Sequence, residues 1–354
     1  MREISVTPIT DRAQFLAEWT VLYSEQQNAS FFQSPAWLKA WLETADSQLD
    51  LYKVASSNGS ITELLGFFVV TPRRYAGLGQ QEAWFQDSGN QALDAIYGEY
   101  VDFLGADDVL AAKRIAAINA MMKAAPQADS FVFRNVTAEM AEAVKNAADT
   151  FGWQTRILRE QSVFVCELIG AAFEQNLSKS LLTKINRSIR LYEERGPIDC
   201  RVIKPGADFM QPWRTMTELH AQGWRDRGEK SVFENGTLNA FHERLRDAVP
   251  QDVHLFEARA GEQTIAVLYN FVHGDRVLNY QCGFLYENDN RLAPGFVAHY
   301  LAAQHYRQEG FRIYDLLAGD AEYKQRLGKQ QSTLTSLVLE QPTWRNKIRK
   351  MLRH

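Results

Sequence analysis

The feature that most constrains the fold is an order of strand-like and helical segments that occurs twice in this 354-residue chain. Between residues 51 and 158, and again between 253 and 339, adjacent strand-like segments are followed by a helix, a strand, a further helix and a last strand. Short turns such as Ala260-Gly261-Glu262 favour antiparallel neighbours, and each strand–helix–strand crossover favours a parallel pair. The pattern predicts an α/β fold with mixed (α+β) sheets and helices on both faces, present twice.

The strand-like segments are recognised by their β-branched and aromatic residues. In the first half they are residues 51–55, 62–71, 82–87, 99–104, 130–133 and 154–158. In the second half they are residues 163–168, 200–203, 253–258, 264–272, 276–283, 312–316 and 333–339.

The length of the chain exceeds what one hydrophobic core usually supports, so two domains are expected. We place their boundary near Arg159–Ser162, which gives an N-terminal domain at 1–160 and a second domain at 161–340. Residues 341–354 form a basic tail with five Lys or Arg and no acidic residue.

Composition narrows the class of protein. The chain is 45% hydrophobic and 23% charged with a net charge of −4, which is typical of a folded domain and excludes a chain that is basic throughout.

The three cysteines (Cys166, Cys200 and Cys282) form no CxxC pair. We therefore expect a reducing compartment and no metal site. The start lacks the apolar core of a signal peptide and no apolar run approaches 20 residues, so a cytoplasmic location is expected.

The most informative segment begins with the strand at 276–283 and the polar loop after it. Pro294-Gly295 then opens a helix that runs to about Gln308. Free backbone amides and the helix dipole at such a start suit a phosphate group, and Arg291 would add a charged contact. An ordinary proline-initiated helix is the alternative interpretation.

A second strand and helix follow at once. Asp315 lies near the end of its strand, where open α/β sheets place ligands. Tyr323 and Lys324 begin the next helix, after the turn that contains Gly319, and a tyrosine there can donate a proton to a leaving group. In the alternative interpretation Tyr323 packs on the sheet and Lys324 is solvated.

These segments resemble the GNAT (Gcn5-related N-acetyltransferase) superfamily, and within it the CelD-like branch associated with exopolysaccharide and cellulose gene clusters. The most specific match is Asp315-x-x-x-Gly319-x-x-x-Tyr323-Lys324. The stretches at 31–41 and 181–190 are also similar to that branch. The branch is related to the FemABX peptidyltransferases, so the resemblance implies two tandem GNAT-like (acyl-CoA N-acyltransferase) domains.

The resemblance also implies a role for each matching residue. The strand containing Tyr280, Cys282 and Gly283 would part from its neighbour to admit the pantetheine arm of an acyl-CoA. The pyrophosphate loop would be formed by Arg291, Pro294, Gly295 and Phe296, although proline and phenylalanine replace the glycines usual in that loop. Tyr323 would protonate the departing thiolate.

Further candidates come from the residues themselves. His220, Glu257 and Asp315 are candidate bases, with a structural role as the alternative for His220. Trp224 is a candidate pocket wall or a core residue. Lys184 and Arg187 share a helix face that would hold phosphates or simply be solvated.

The expected function is transfer of an acyl group from acyl-CoA (acetyl-CoA or longer) to a small-molecule amine, such as an amino sugar or amino acid of a surface polysaccharide or the cell envelope. Two alternatives stay open. One is a FemABX-like transferase that uses aminoacyl-tRNA, and the other is a non-catalytic scaffold for a polysaccharide machine. The basic tail could also make a weak peripheral contact with a membrane.

Overall fold

The computed structural model describes residues 4–45, 49–75, 78–170 and 172–351. The chain forms two compact units, one of residues 1–161 with 333–354 and the other of residues 162–332. Residues 352–354 of the predicted basic tail lie outside the described residues.

The elements follow one another in the order that the sequence pattern predicts. The first are β1 (Ile4–Pro8), α1 (Arg12–Ser24), α2 (Pro35–Thr44), β2 (Leu51–Asn58), β3 (Ile61–Tyr75), β4 (Leu78–Phe85), β5 (Leu104–Gly105), α3 (Asp107–Ala124), β6 (Ser130–Val136), α4 (Ala138–Phe151) and β7 (Gln154–Glu167). They are followed by α5 (Ala172–Asn176), α6 (Lys179–Glu193), β8 (Ile198–Ile203), α7 (Met210–Arg225), α8 (Gly236–Ala248), β9 (Val253–Ala260), β10 (Gln263–His273), β11 (Arg276–Phe284), α9 (Pro294–Gln308), β12 (Ile313–Ala318), α10 (Glu322–Leu327), β13 (Lys329–Glu340) and α11 (Trp344–Met351).

The first unit is built on a sheet with the strand order β1-β2-β3-β4-β6-β13. Its pairs are antiparallel except β4 with β6, which is the predicted crossover pair. One face carries a core in which Phe68, Phe131 and Phe133 pack with Met121 of α3 and Val144 of α4. Burial of these large side chains, each stabilising by about 1.5–3 kcal/mol, fixes α3 and α4 to the sheet.

The last strand differs from the sequence-based boundary, which assigned residues up to 340 to the second domain. Thr335–Glu340 pair antiparallel with β6, so residues from 333 onwards belong to the first unit. The reason is a long-range backbone pairing that no local pattern encodes.

The second unit contains the sheet β7-β12-β11-β10-β9-β8, with β7 contributing its last residues. Among the described residues of this sheet, β11 with β12 is the only parallel pair. Neighbouring residues of a strand point to opposite faces, so Leu268 packs towards α6 and α9 while Tyr269 packs against Trp213 of α7 and His242 of α8. The prediction of mixed α/β sheets with helices on both faces is confirmed.

Among the helices in the described ranges, none is both long enough and apolar enough to cross a lipid bilayer.

Candidate active site

The second unit contains an opening between its two parallel strands. β11 and β12 are in register for three pairs only, from Arg276↔Ile313 to Leu278↔Asp315. β11 then continues to Phe284, and within the described residues no further pair to β12 follows. Beyond Asp315 the pairing of β12 with β7 is irregular, and Leu317 has a φ of 60°. The two strands therefore part beyond Leu278 and Asp315.

Asp315 lies where the strands part and is fully buried. Its carboxylate accepts hydrogen bonds from Arg276 Nη2 at 3.2 Å and from the backbone N–H of Leu317 at 2.8 Å. The second bond holds Leu317 in a backbone conformation that is costly for a non-glycine residue. Asp315, which was predicted as a base, is thus bonded to two groups, and these bonds fix the backbone at the end of β12.

Tyr323 is held at the start of α10 by a buried histidine that the sequence analysis missed. The rings of Tyr323 and His299 stack face to face, with centroids 4.9 Å apart and an interplanar angle of 7°. His299 Nδ1 lies 2.8 Å from the hydroxyl of Tyr314, and its Nε2 has no partner among the described residues. Burial lowers the pKa of His299 to about 3, and nearby Lys324 adds to the effect, so the imidazole is neutral at pH 7. The signal in the sequence was a single histidine on the apolar face of α9.

Lys324 closes the turn after β12. Its Nζ donates hydrogen bonds to the carbonyl oxygens of Ala318 at 2.7 Å and Leu317 at 3.3 Å. Gly319 has a φ of 145°, and a Cβ added there would lie 3.1 Å from the same Nζ. Lys324 is therefore half-buried and bonded rather than solvated, and it lies against Gly319.

The far part of β11 presents different residues to its two faces. Cys282 packs towards the α9 side, where burial raises the pKa of its thiol to about 12 despite the opposing effects of Lys324 and Arg227. Gly283 faces α7, and a Cβ at this position would contact the carbonyl oxygen of Met216. A glycine is thus required for α7 to approach this strand so closely.

A β-bulge in β11 separates Tyr280 from Cys282 and Gly283. Tyr269 is in register with Gln281, whereas the next residue, Asn270, is in register with Asn279, so Tyr280 is the extra residue. Its ring packs 5.4 Å from His242 of α8. The structure therefore places Tyr280 in an aromatic cluster apart from the stack of His299 and Tyr323.

His220 and Trp224 lie together on α7, which packs on β11. Their rings stack at 5.6 Å, and His220 Nδ1 lies 2.8 Å from Ser231 Oγ. Burial lowers the pKa of His220 to about 4, partly opposed by a hydrogen bond with Gln281 of β11. The imidazole is neutral at pH 7 and weakly basic. The third candidate base, Glu257, is almost fully buried on β9 and accepts hydrogen bonds from Arg201 and Thr264, each at 2.7 Å.

The start of α9 carries two cations around one aromatic ring. Lys184 Nζ lies 4.8 Å from the centroid of the Phe296 ring, and the guanidinium carbon of Arg326 lies 5.2 Å from it. Gly295 has room for a Cβ, with the nearest atom, on Phe284, at 3.5 Å. Arg326 was missed because its proximity to Phe296 is a contact between distant parts of the sequence.

Two other groups of this loop, the Arg291 guanidinium and the Ala293 N–H, already have hydrogen-bond partners within the protein. Arg291 forms a two-point ion pair with Asp289, with Nη2–Oδ2 at 2.7 Å, and the backbone N–H of Ala293 donates to Ser188 Oγ at 2.9 Å. Pro294 has no N–H to offer. Arg187 is exposed on α6. The pKa of Asp289 is lowered to about 2, chiefly by its hydrogen bonds with Arg291 and to a smaller extent by the charge of Arg187.

Across the described ranges, no group of three or more His, Cys, Asp or Glu side chains is arranged to hold a metal ion.

Comparison with known proteins gives a family similarity for part of the second unit. The family model described as Acetyltransferase (GNAT) domain matches residues 179–325, which lie within the second unit. That segment is similar to GNAT acetyltransferase domains. It contains the opening, the stack of His299 and Tyr323, and Phe296 with Lys184, and Arg326 follows directly after it. Comparison with curated protein sequences gives no match.

Solved structures extend the similarity of the fold to the whole chain. FemX is 11% identical, with a TM-score of 0.59 over 99% of this chain and 100% of its own. L-PGS from Bacillus licheniformis is 11% identical, with a TM-score of 0.54 over 95% of this chain and 96% of its own. A tandem GNAT protein from the clavulanic acid biosynthesis pathway is 10% identical, with a TM-score of 0.50 over 96% of this chain and 100% of its own. At these identities the likeness concerns the fold, and it confirms the predicted tandem GNAT-like architecture.

Proposed function

We propose that the second unit binds an acyl-CoA and transfers its acyl group to the nitrogen of an amine. The observation that carries this proposal is the early end of pairing between β11 and β12, with Tyr323 held nearby by its stack on His299. Beyond its last pair with β12, the backbone of β11 is where the amides of a pantetheine arm would pair, as an added strand would.

The cations around Phe296 support a site for the donor's pyrophosphate. Lys184 and Arg326 put two positive charges beside the start of α9, where the helix dipole also favours an anion. Arg326 has one contact with Glu322, at 3.1 Å, whereas Arg291 is held by several hydrogen bonds to Asp289 and is the weaker candidate. We therefore assign phosphate recognition first to Lys184 and Arg326, with Arg187 and Arg291 contributing at longer range.

The proposed reaction needs positioning more than covalent help from the protein. The amine lone pair attacks the thioester carbonyl carbon, a C–N bond forms and a backbone N–H on β11 stabilises the oxyanion. The C–S bond then breaks, and the thiolate takes the hydroxyl proton of Tyr323. The amine gives up its proton to water. His220, neutral but weakly basic, orients the amine together with Trp224, and Asp315 and Lys324 shape the strand end that carries the site.

For the acceptor we propose an amino sugar or amino acid of surface-polysaccharide or cell-envelope metabolism. The support is the resemblance of the segments at 31–41, 181–190 and 315–324 to the CelD-like branch. Use of acyl-CoA also implies a cytoplasmic site of action.

A second candidate function, transfer from an aminoacyl-tRNA, is favoured by one specific observation. The loop before α9 has an arginine bound to Asp289, a proline without an N–H and an Ala293 amide bound to Ser188. It therefore offers a pyrophosphate fewer donors than a glycine-rich loop would. Lys184 and Arg187 would then contact RNA phosphates, and binding would weaken steeply with salt.

Calorimetric titration with acetyl-CoA and longer acyl-CoAs tests the donor. We expect micromolar binding, weakened about 10- to 100-fold in a Lys184→Gln/Arg326→Gln variant because two charge-assisted contacts are lost. Arg312→Gln is the matched control, since Arg312 is exposed in the same unit and paired with Asp275. Absence of binding at millimolar acyl-CoA would reject this donor, and titration with aminoacyl-tRNA at two salt concentrations would follow. Failure of both donors would leave the non-catalytic scaffold.

A further inference from the structure

The first unit contains a cationic pocket that the proposed reaction does not use. It has a volume of about 580 Å³ and lies at the ends of β3 and β4, where α11 begins. Arg73 and Arg74 of β3 and Arg345 of α11 line it, together with Gln80 and Gln81 of β4. Arginines that are far apart in the sequence thus come together around one cavity.

The carboxylates near this pocket offset only part of its positive charge. Arg73 Nε lies 3.5 Å from Glu82, and Arg345 Nη1 lies 3.8 Å from Asp129. Both carboxylate side chains are buried, and Asp129 also accepts a hydrogen bond from the backbone N–H of Gln81 at 3.0 Å. Arg74 adds a further exposed charge. The cavity therefore presents more positive than negative charge, with guanidinium donors suited to two-point binding of a phosphate.

Helix α11 is fixed to the unit in a defined orientation. Asn346 is buried, and its side-chain amide donates to the carbonyl oxygens of Asp129 at 2.6 Å and Gln341 at 2.8 Å. Trp344 and Met351, seven residues apart and so on one face of the helix, are 59% and 76% exposed. A large aromatic side chain and a methionine are thus displayed to solvent beside the pocket.

We propose that this face binds the surface of an anionic bilayer, with the pocket taking a phospholipid phosphate and Trp344 and Met351 entering the headgroup region. Tryptophan is favoured at that depth, and arginines beside it gain from the negative surface. By sequence, α11 also carries Lys347, Arg349 and Lys350 and no acidic residue, which is the charge that an anionic surface complements. The proposal rests on the first unit and is independent of the acyltransferase chemistry.

Vesicle co-sedimentation of the full chain tests it. We expect binding to vesicles of phosphatidylcholine with about one-third phosphatidylglycerol, little binding to phosphatidylcholine alone, and weaker binding as salt rises. Arg74→Gln/Arg345→Gln should lower the affinity by about 25-fold, at roughly fivefold for each arginine near the surface. The control Arg214→Gln/Arg312→Gln removes the same charge from exposed positions of the second unit and should leave binding within about twofold.

The Trp344→Ala variant tests the apolar contribution to vesicle binding. It should weaken vesicle binding at high salt, whereas Val21→Ala, which trims another exposed apolar residue of the first unit, should not. Circular dichroism and the melting temperature of each variant exclude misfolding as the cause.

Three results would overturn the proposal. The first is equal binding to neutral and anionic vesicles, and the second is an arginine variant that binds like its charge-matched control. The third is calorimetric binding of inorganic phosphate at the pocket without any binding to vesicles, which would identify a soluble phosphorylated ligand instead.

Discussion

The two units share a sheet plan but treat their parallel strand pair differently. Each has one parallel pair in register for three residues, β4 with β6 in the first unit and β11 with β12 in the second. In each, a residue just beyond the paired part has a positive φ: Asn135 at 48° and Leu317 at 60°. The same backbone irregularity thus occurs at the same place in both sheets.

In the first unit the space beyond the parallel pair is filled by the chain itself. Val101 forms a parallel bridge with Val136, donating its N–H to the carbonyl oxygen of Asn135 at 3.0 Å and accepting from Thr137 at 3.2 Å. The helix that follows, α3, begins with Asp107 and Asp108, whose charges oppose an anion at its N-terminus. In the second unit, within the described residues, no pair of β11 with β12 follows Leu278↔Asp315, and cations flank the start of α9. One sheet plan therefore supports a filled strand edge in one unit and, in the other, the opening where we propose that the donor binds.

The buried polar groups also differ between the units. Both units bury carboxylates beside arginines, as in Asp102 with Arg114 at 2.8 Å in the first and Asp315 with Arg276 at 3.2 Å in the second. In the second, neutral histidines lie beside tyrosine hydroxyls, as in His299 with Tyr314 and His242 with Tyr269. Neutral imidazoles next to a cleft can exchange protons or orient a substrate, whereas the ion pair chiefly holds a loop in place.

The largest expected effect is at Tyr323. Replacing it with phenylalanine keeps the stack on His299 but removes the proton donor, so kcat should fall about 10²- to 10⁴-fold with little change in KM for acyl-CoA. The measurement is release of the CoA thiol with an amine acceptor identified by screening.

Tyr300→Phe is the control for this substitution. Tyr300 is on α9, and its hydroxyl accepts a hydrogen bond from Gln304 at 2.9 Å, away from the stack. A Tyr323→Phe enzyme that retains half of the wild-type kcat would remove the proton donor from the proposed mechanism.

Gly283 should be the next most sensitive position. A Cβ there would meet the carbonyl oxygen of Met216 and lie 2.9 Å from Leu219 Cβ, so Gly283→Ala must push α7 off β11. We expect a loss of about 3 kcal/mol in the free energy of unfolding and weaker acyl-CoA binding. Urea denaturation measures the first, with Gly236→Ala as the control because nothing lies within 4 Å of a Cβ at that position. Equal stability of the two variants would show that α7 is not held against β11 as described.

The helix starts and the order of elements could be predicted because they depend on neighbouring residues. Pro294-Gly295 does begin α9, and Ser34-Pro35 begins α2 in the same way, with the N–H of Trp37 donating to Ser34 Oγ at 3.2 Å. The segments at 154–158 and 163–168, predicted as two strands, form the single strand β7, and the segment predicted at 99–104 is strand only at Leu104. Which strand pairs with which depends on contacts between distant residues, which local periodicity does not contain.

In the candidate site, too, the features set by neighbouring residues could be predicted, whereas contacts between distant residues could not. The strand, turn and tyrosine of the Asp315–Lys324 stretch are local and were foreseen. The stack on His299, the approach of Arg326 to Phe296 and the ion pair that engages Arg291 require the folded chain. Residues whose neighbours are distant in sequence, rather than residues of unusual type, were the ones missed.

Acid should destabilise the second unit selectively. Burial lowers the pKa of His242 and of His299 to about 3, so each stabilises the fold above the unfolded-state value of about 6.5 and loses that contribution as pH falls towards 3. In the first unit, burial raises the pKa of Asp102, which has the opposite sign: its contribution is present at low pH and is lost as pH rises through the folded value. At pH 5 each histidine should cost about 2 kcal/mol.

Hydrogen exchange at pH 7 and pH 5, corrected for intrinsic rates, measures this difference. Exchange should increase in β10 and β11 but not in β3 and β6. His242→Gln, which removes one titrating group, should reduce the loss of stability between these pH values by about 2 kcal/mol. Loss of protection in both units to the same extent would show that the buried histidines do not control the response to acid.

The smallest expected effect is at the filled site of the first unit, and it bears most directly on the comparison. Titration should give one acyl-CoA per chain, and Asp107→Asn/Asp108→Asn should leave that number and the affinity unchanged within about twofold, because Val101 still occupies the edge of β6. The substitution removes the anionic charge from the start of α3 without touching the bridge. If the variant bound a second acyl-CoA, charge alone would have kept the first unit empty, and the segment that pairs with β6 would be displaceable. If the wild-type chain bound two, the filled and open sheets would not differ in function at all.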